Sequence, residues 1–204
     1  AMDPRMLRAM LQLAGKKPDA HYPAESSVPE NPDYEKVKDF LMWQAVAESG
    51  GNPNAYSTRA NGDTLAQGLT QLTPIAIKHA QNKRWVGNDF DPKNPEHAIE
   101  LQIKMMDEAM EGNRGDLEMQ LEKSAAGYNT GIANANLSMV GVDPTSMDWL
   151  PKLSKETRDY VGRVSGTDST WRADHQAKFD TFEKKYGKYY TPEKLSGFYH
   201  KDEQ

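Results

Sequence analysis

A repeated helix-start signal constrains the fold of this chain more than any other sequence feature. At Thr73-Pro74, Asn94-Pro95 and Thr191-Pro192, a small polar residue stands directly before a proline that opens a helical pattern. Proline suits the first helical position because its ring fixes φ and its missing N–H has no intrahelical partner there. The signals predict helices that begin near residues 74, 95 and 192, and the second should run to about Gly112.

The spacing of apolar residues predicts further helices, and runs that alternate apolar and polar residues are scarce. Helices are expected at 3–15, 34–49, 115–126, 130–139, 155–165 and 169–187, with an irregular loop over 52–72. The helix from Tyr34 to Ser49 is the most strongly amphipathic. It should end at Gly50-Gly51, because glycine adopts the left-handed conformation of a helix cap. The predicted fold class is therefore mostly α.

Composition excludes several classes of protein. The 204 residues include no cysteine, which excludes a disulfide scaffold, a thiolate zinc site, an iron–sulfur cluster and a cysteine nucleophile. A mean hydropathy of −0.84 excludes a membrane-embedded protein. The formal net charge of −5 argues against a nucleic-acid binder. The histidines lack the spacing of metal ligands, so no metal site is expected, and no leader peptide is visible near the N-terminus.

Glu48 is the strongest candidate for a catalytic residue. Val37, Leu41 and Ala45 form one apolar stripe of the 34–49 helix, and Glu48 lies within about 20° of the first two on the helical wheel. A carboxyl on this stripe, at the negative end of the helix dipole, should have a raised pKa. A carboxyl that is partly protonated near neutral pH can act as a general acid. The alternative is that Glu48 lies at the edge of the stripe and points to solvent.

Four sequence blocks follow one another in a recognisable order. They are Glu48-Ser49, Gly68-Leu69-Thr70-Gln71, Ala125-Ala126-Gly127-Tyr128-Asn129-Thr130-Gly131 and Glu156-Thr157-Arg158-Asp159-Tyr160-Val161. Over roughly 34–166, this order and spacing resemble the soluble lytic transglycosylase family of lysozyme-like, peptidoglycan-cleaving enzymes. The segment Phe90-Asp91-Pro92 also fits the family. Any one block has little specificity, whereas four blocks in order have much.

The resemblance implies a lysozyme-like helical domain with a groove for glycan strands, and neither a metal nor an organic cofactor. It implies that Glu48 is the single acid/base, cleaving the β-1,4 bond between N-acetylmuramic acid and N-acetylglucosamine. Glu48 would protonate the glycosidic oxygen and then deprotonate the muramoyl C6 hydroxyl, which attacks C1 of the same sugar. The product is a 1,6-anhydro-muramoyl end. An internal nucleophile makes a second catalytic carboxylate unnecessary.

The resemblance also implies substrate contacts from five side chains: Ser57, Gln71, Tyr128, Asn129 and Tyr160. Ser57 can form a hydrogen bond beside the Glu48 carboxyl, while Gln71 and Asn129 can bind an N-acetyl or hydroxyl group. Tyr128 and Tyr160 offer flat faces to sugars, and the Tyr160 hydroxyl can hold Glu48 or the substrate. For each tyrosine, the alternative is a core aromatic residue whose hydroxyl is hydrogen-bonded internally.

Some positions depart from the family pattern. Thr70 and Thr73 stand where methionines are usual, Gly127 is inserted in the third block, and the loop Thr58–Gln67 is longer than the usual link. Asp63 in that loop offers a second carboxylate that could position a water, as in inverting hydrolysis. The other interpretation of Asp63 is a polar turn residue.

The chain divides into three predicted segments. Residues 1–33 form an N-terminal helix and a proline-rich linker, 34–166 the catalytic domain, and 167–204 a helical extension that packs on the domain. The aromatic residues of 169–190 could alternatively form a second contact with glycan or a partner. Trp43 and Trp149 are expected in the core, whereas Trp85 could be buried or functional. Glu156 and Asp159 are expected to be ordinary acids near a helix start.

The predicted function is that of a peptidoglycan lytic transglycosylase. Two alternatives remain: a lysozyme-type hydrolase on the same fold, and an inactive glycan-binding or assembly module. The implied partners are peptidoglycan strands, with neither nucleic acid nor stable membrane insertion, and a place in a larger phage or secretion assembly is compatible. The protein should act in the periplasm or cell wall, as part of a phage virion or as an exported bacterial protein.

Overall fold

The computed structural model describes residues 31–199 and is mostly helical, as predicted. Its elements in chain order are α1 Pro32–Ser49, β1 Tyr56–Thr58, β2 Thr64–Gln67, α2 Pro74–Asn82, α3 Pro95–Met110, α4 Leu117–Thr130, α5 Ile132–Ser138, α6 Lys155–Ser165, α7 Ser169–Tyr186 and α8 Pro192–Leu195. Short 3₁₀ turns occupy Leu150–Lys152, Gly187–Tyr189 and Ser196–Phe198. The predicted helix at 3–15 and the linker after it lie outside the described residues. Within 31–199, no helix combines the length and apolarity needed to cross a membrane.

The predicted helix starts at residues 74, 95 and 192 are confirmed. In each case the side chain before the proline accepts a backbone N–H of the first turn. Thr73 accepts from Ala76, Asn94 accepts from Glu96 and His97, and Thr191 accepts from Lys194. Asn31 caps the backbone N–H of Asp33 at 2.9 Å in the same way. Helix α1 therefore begins at Pro32, two residues earlier than predicted.

The prediction of an irregular loop over 52–72 is wrong, because this segment contains an antiparallel hairpin. Strands β1 and β2 pair with Ser57 opposite Ala66. The turn is closed by the backbone N–H of Arg59, which donates to the carbonyl of Asp63 at 2.8 Å. Gly62 supplies the positive φ of 88° that this turn needs. Strands of three and four residues are too short for an apolar alternation to be visible in the sequence.

Helix α1 is the central helix of the fold rather than an amphipathic surface helix. The predicted stripe of Val37, Leu41 and Ala45 is fully buried. However, every residue over 40–46 is buried, because α4, α6, α7 and α8 pack around the helix. The prediction of a strongly amphipathic helix is therefore wrong for its second half, and the buried faces include the polar side chain of Gln44.

The segment after α6 packs closely on α1. Trp43 stacks on Phe179 of α7 with ring centroids 4.3 Å apart, and the guanidinium of Arg172 lies 4.6 Å from the Trp43 ring centre. Contacts of these two kinds each contribute about 0.5–1.5 kcal/mol beyond area burial. Beyond α7, the carbonyl of the buried Tyr190 accepts the Tyr34 hydroxyl at 2.7 Å. The predicted boundaries at 33/34 and 166/167 stay predictions.

The predicted core positions of Trp43 and Trp149 are confirmed. Trp43 belongs to the main core, and Trp149 is fully buried in a smaller cluster with Ala126, Ala135 and Val161. Trp85 is half-buried at the edge of the main core, where its ring meets that of His79 edge-on at 5.4 Å.

Candidate active site

Glu48 lies in the last turn of α1, immediately before a sharp change of chain direction. Gly50 ends the helix with a φ of 65°, and its N–H donates to the carbonyl of Val46 at 2.8 Å. Gly51 follows with a φ of 82°. Side chains rarely adopt this left-handed conformation, so the glycine pair of the first block fixes where α1 stops. The candidate acid is therefore held on the last rigid turn of the central helix.

The surroundings of Glu48 favour its neutral form. The pKa of Glu48 is raised from 4.5 to about 7, chiefly by burial; the nearby Tyr160 hydroxyl opposes the rise, and the Glu156 carboxylate adds to it. Glu48 is half-buried, so part of its side chain stays open to solvent. Near neutral pH the carboxyl thus populates both protonation states, as a group that first donates and then accepts a proton requires.

Tyr160 of α6 brings a hydroxyl to the Glu48 carboxyl. The residue is only 5% exposed, and its hydroxyl lies close to both Glu48 and Gln44. Among residues 31–199, this hydroxyl has no hydrogen bond of good geometry. Burial first, and the Glu48 charge second, hold the pKa of Tyr160 well above 10, so the hydroxyl keeps its proton. It can therefore donate to the ionised form of Glu48.

Tyr128 of α4 also lies near Glu48, but its hydroxyl is engaged elsewhere. The hydroxyl donates to the backbone carbonyl of Thr70 at 2.7 Å. Burial, with the Glu48 charge as a second cause, raises the pKa of Tyr128. The half-buried ring packs against the main core. This geometry matches the expected alternative of a packed aromatic residue whose hydroxyl is used internally.

Of the residues that depart from the family pattern, Thr70 and Thr73 have structural roles, and nothing in the structure requires glycine at position 127. Thr70 is fully buried, and its hydroxyl donates to the carbonyl of Ala98 at 3.3 Å, so this side chain presents no surface to a ligand. Thr73 caps helix α2. Gly127 is a buried residue within helix α4, where an added Cβ would meet its neighbours at ordinary contact distances.

The second block is held in place by backbone contacts. Gly68 has a φ of 83°, and a Cβ there would lie 1.8 Å from the carbonyl oxygen of Pro92, so only glycine fits. Gln71 has a φ of 52°, and its Nε2 donates to the carbonyls of Ala55 and Gly68 at 3.1 and 3.0 Å. Both amide hydrogens are thus used within the loop, which leaves the Gln71 side-chain oxygen as the group that can bind a ligand.

The third and fourth blocks are joined by a hydrogen bond. Asn129 at the end of α4 accepts the Thr157 hydroxyl of α6 through Oδ1 at 2.8 Å. The side-chain amide hydrogens of Asn129 have no partner among residues 31–199. Asn129 therefore has the capacity to donate, whereas Gln71 has the capacity to accept.

Ser57 lies on the inward face of β1. It is half-buried opposite Ala66, while Tyr56 on its N-terminal side is 69% exposed. Its hydroxyl makes no hydrogen bond within the part of the chain that the structure describes, and in particular none with Glu48. The hydroxyl is therefore available to a ligand.

Asp63 lies in the exposed hairpin turn. Its Oδ2 accepts the Asn61 side-chain amide at 3.0 Å, and its backbone N–H donates to Asn61 Oδ1 at 3.0 Å. These reciprocal hydrogen bonds are those of a polar turn residue. The structure thus supports the turn interpretation of Asp63 over that of a water-positioning carboxylate.

Two residues near Glu48 were missed by sequence reasoning. Glu156 was expected to be only a helix-start acid, and it does lie exposed in the first turn of α6, yet its charge reaches Glu48. Gln44, fully buried on α1, lies next to Tyr160. The helical spacing contained a signal for both, because residues four apart share a helix face, as Gln44 does with Glu48 and Glu156 with Tyr160.

Groups of three or more acidic or histidine side chains placed to hold a metal ion do not occur in the described range 31–199.

Comparison with known proteins places the chain beside one protein family. A protein-family model described as the transglycosylase SLT domain matches residues 30–139 of the chain. The match includes Glu48, the hairpin and the blocks around Gln71 and Asn129, and it ends before Tyr160. Neither a curated protein nor a solved structure matches the chain significantly.

Proposed function

The chain belongs to the transglycosylase SLT domain family, and from this premise we propose that it is a peptidoglycan lytic transglycosylase in which Glu48 is the single acid/base. The observation that carries the proposal is the half-buried Glu48 carboxyl close to the buried Tyr160 hydroxyl, with a pKa of about 7. The family supports action on peptidoglycan. The bond cleaved, the anhydro product and the role of Glu48 are our proposal.

In the first step, neutral Glu48 donates its proton to the glycosidic oxygen between N-acetylmuramic acid and N-acetylglucosamine. The bond between C1 of the muramoyl sugar and that oxygen breaks, and the leaving sugar departs with a new hydroxyl. Glu48 is left as a carboxylate. The Tyr160 hydroxyl stabilises this charge, because hydrogen bonds to ionised groups are stronger than neutral ones.

In the second step, the Glu48 carboxylate accepts the proton of the muramoyl C6 hydroxyl. The C6 oxygen attacks C1 of the same sugar and closes the 1,6-anhydro ring. Glu48 returns to its neutral form, so the cycle balances without water. Because the nucleophile belongs to the substrate, no second protein carboxylate is needed, in contrast to ordinary two-carboxylate glycosidases.

Substrate binding is assigned to side-chain groups that the fold leaves free. The Gln71 oxygen can accept, and the Asn129 amide can donate, so the pair complements the N–H and C=O of an N-acetyl group. The Ser57 hydroxyl can bind a sugar hydroxyl from the hairpin side. Tyr128 contributes its ring, since its hydroxyl is already bonded to Thr70. Tyr160 acts on Glu48 and is too deeply buried to stack on a sugar.

One observation favours a second candidate, a lysozyme-type hydrolase. The exposed Glu156 carboxylate is close enough to raise the pKa of Glu48, and a second carboxylate near the acid could activate a water. We prefer the transglycosylase, because Glu156 lies in the first turn of α6, where an acid stabilises the helix without a catalytic role.

The test is a digest of purified sacculi, with the products identified by mass spectrometry. A transglycosylase releases fragments with 1,6-anhydro-muramoyl ends. A hydrolase releases fragments that are heavier by one water at each new end. Binding without release of fragments, at a protein concentration that saturates the sacculi, would identify an inactive binding module and overturn the proposal.

The proposed site of action is the cell wall, since peptidoglycan is the substrate class that the family supports. The formal charge of −5 gives no long-range attraction to an anionic wall, so recognition depends on short-range contacts. Membership of a phage or secretion assembly is compatible with this setting.

A further inference from the structure

A line of buried polar side chains connects the C-terminal segment to the neighbourhood of Glu48. The Tyr190 hydroxyl donates to Oε1 of Gln102 at 2.8 Å, and Nε2 of Gln102 donates to Oε1 of Gln44 at 2.8 Å. All three residues are fully buried. They come from three separate parts of the fold: the turn after α7, helix α3 and helix α1. Buried polar groups are costly unless they are paired, so this line needs an explanation.

The backbone of α1 fixes the direction of these hydrogen bonds. The carbonyl of Leu41 can only accept, and it accepts Nε2 of Gln102 at 2.9 Å. Gln102 therefore turns its amide hydrogens toward α1, where the second one meets Oε1 of Gln44. Since Gln44 presents its oxygen to Gln102, its own amide hydrogens must point away from Gln102.

The Gln44 amide hydrogens point toward Met106 and Tyr160. Nε2 of Gln44 lies 3.3 Å from the sulfur of Met106, a weak acceptor, and the Tyr160 hydroxyl is close by. That hydroxyl is buried and lacks a well-formed hydrogen bond among the described residues, although it lies between Gln44 and Glu48. Gln44 can therefore donate to the Tyr160 oxygen, which directs the Tyr160 O–H toward Glu48.

We propose that Tyr190 is a positioning residue for the acid/base, acting through Gln102 and Gln44 to aim the Tyr160 hydroxyl at Glu48. This inference rests on the proposed role of Glu48. The hydrogen bonds from Tyr190 to Gln102 and from Gln102 to Gln44 run in the same direction, and a bond from Gln44 to Tyr160 would extend that direction to Glu48. Aligned hydrogen bonds polarise and strengthen one another. Tyr190 lies beyond the residues 30–139 that match the family, so the C-terminal extension contributes to the active site from outside that match.

Other groups face Glu48 independently of this line. Glu156 acts on it from α6, and Tyr128 lies near it from α4. On the α7 side, Nζ of Lys178 lies beside Gly50, at 3.5 Å from the position of a Cβ there. Within residues 31–199, neither Glu156 nor Lys178 forms a hydrogen bond with Tyr190 or either glutamine. Tyr128 lies near Tyr190 and Tyr160, but its hydroxyl donates to the Thr70 carbonyl, and Tyr190→Phe leaves that hydrogen bond in place.

The test variant is Tyr190→Phe, which removes the first donor and keeps the ring. The matched control is Tyr34→Phe, which removes the hydroxyl that holds the Tyr190 carbonyl and leaves the Tyr190–Gln102 hydrogen bond in place. Both variants should lower Tm, because each loses a buried hydrogen bond. A structural role alone would produce that loss and nothing else.

The decisive readout is the pKa of the Glu48 carboxyl, measured by ¹³C NMR titration of glutamate-labelled protein and assigned with Glu48→Gln. A less well aimed Tyr160 hydroxyl stabilises the carboxylate less. Tyr190→Phe should therefore raise the pKa of Glu48 by about 0.5–1 unit, whereas Tyr34→Phe should leave it unchanged. In Tyr160→Phe protein, adding Tyr190→Phe should produce no further shift.

An unchanged Glu48 pKa in Tyr190→Phe would overturn the inference, as would an equal shift in Tyr34→Phe or a full additional shift in the Tyr160→Phe background. The titration needs no turnover, so it separates this inference from the proposed function. Sacculi that yield no anhydro products contradict the function alone, and a titration without the predicted shift contradicts the positioning role alone.

Discussion

Glu48 and Glu122 are two half-buried glutamates whose pKa values are raised from 4.5 to about 7, in each case chiefly by burial. They lie on different helices, at the end of α1 and in the middle of α4. A titration alone would rank them as equal candidates for a general acid. Their neighbours differ, however, and the difference concerns what happens after the proton has left.

The neighbours of Glu48 include a hydroxyl that stabilises its anion, whereas those of Glu122 are other acids. Tyr160 opposes the rise in the pKa of Glu48. Glu118 and Asp116, on or beside the first turn of the same helix, add to the rise at Glu122. A group that gives up a proton and later takes one back needs its ionised form to be tolerated. A raised pKa is therefore insufficient to identify the acid, and a nearby donor distinguishes Glu48.

Replacing each glutamate with glutamine in turn tests whether its neighbours distinguish Glu48 from Glu122. Glu48→Gln should reduce the release of soluble fragments from sacculi by about 100- to 10,000-fold, the usual contribution of a general acid/base. Glu122→Gln, with the same chemical change and a similar starting pKa, should stay within about twofold of the unaltered protein. The measurement is the initial rate of fragment release near neutral pH. Equal losses in the two variants would show that the neighbours of Glu48 do not select it.

Removing the donor beside Glu48 should have a smaller effect. Tyr160→Phe keeps the buried ring and deletes the hydroxyl that we propose stabilises the Glu48 carboxylate; a hydrogen bond to a charged group contributes about 1.5–3 kcal/mol. The rate should fall by about 10- to 100-fold, and the pKa of Glu48 should rise. Rates measured across the pH range would report both effects. A lower rate with an unchanged pH profile would mean that Tyr160 only supports packing.

Glu48→Gln and Glu122→Gln should change the free energy of unfolding in the same direction, although they should differ in their effect on activity. The folded-state pKa of each glutamate lies above the usual value of 4.5, so the folded state binds the proton more tightly. The associated stability is present below about pH 4.5 and is lost as the pH rises through 7. Glutamine cannot ionise, so Glu48→Gln should gain about 2–3 kcal/mol relative to the unaltered protein between pH 5 and 8. Glu122→Gln should gain stability in the same direction.

Tm values at about pH 5 and pH 8 check this prediction. A relative stability of Glu48→Gln that does not change between the two values would contradict the raised pKa.

The smallest effect is expected at the exposed carboxylate of the hairpin. Asp63→Asn keeps the shape of the turn and removes the charge, and the hydrogen bonds of Asp63 remain within the turn. The rate on sacculi should change by about twofold or less. A loss approaching that of Glu48→Gln would instead identify Asp63 as a second catalytic carboxylate.

The sequence predicted the helical framework well, because its signals are local. Prolines after Thr73, Asn94 and Thr191 start helices for steric reasons that act within one turn. The glycines after Glu48 end α1 for equally local reasons. The hairpin at 56–67 was missed, because its strands are too short to show a period and are defined by pairing across the turn.

The candidate site could be predicted only where the spacing of apolar residues along a single helix indicates a buried face. The position of Glu48 on the buried stripe of α1 could be derived from the 100° rotation per residue. The buried line from Tyr190 to Gln44 could not, because it joins residues 146 positions apart through contacts that only the folded chain creates. Thr70 shows the same limit, since its burial and its bond to Ala98 depend on α3 packing against the loop.

The central claim is that Glu48 alone serves as acid and base while the substrate supplies the nucleophile. Digestion of sacculi in water enriched in heavy oxygen tests it most directly, with mass spectrometry of the new muramoyl ends. Attack by the muramoyl C6 oxygen should produce 1,6-anhydro ends that carry no heavy oxygen, and Glu48→Gln should abolish them. One heavy oxygen at each new end would show that water attacks C1, and would contradict the claim that the substrate supplies the nucleophile.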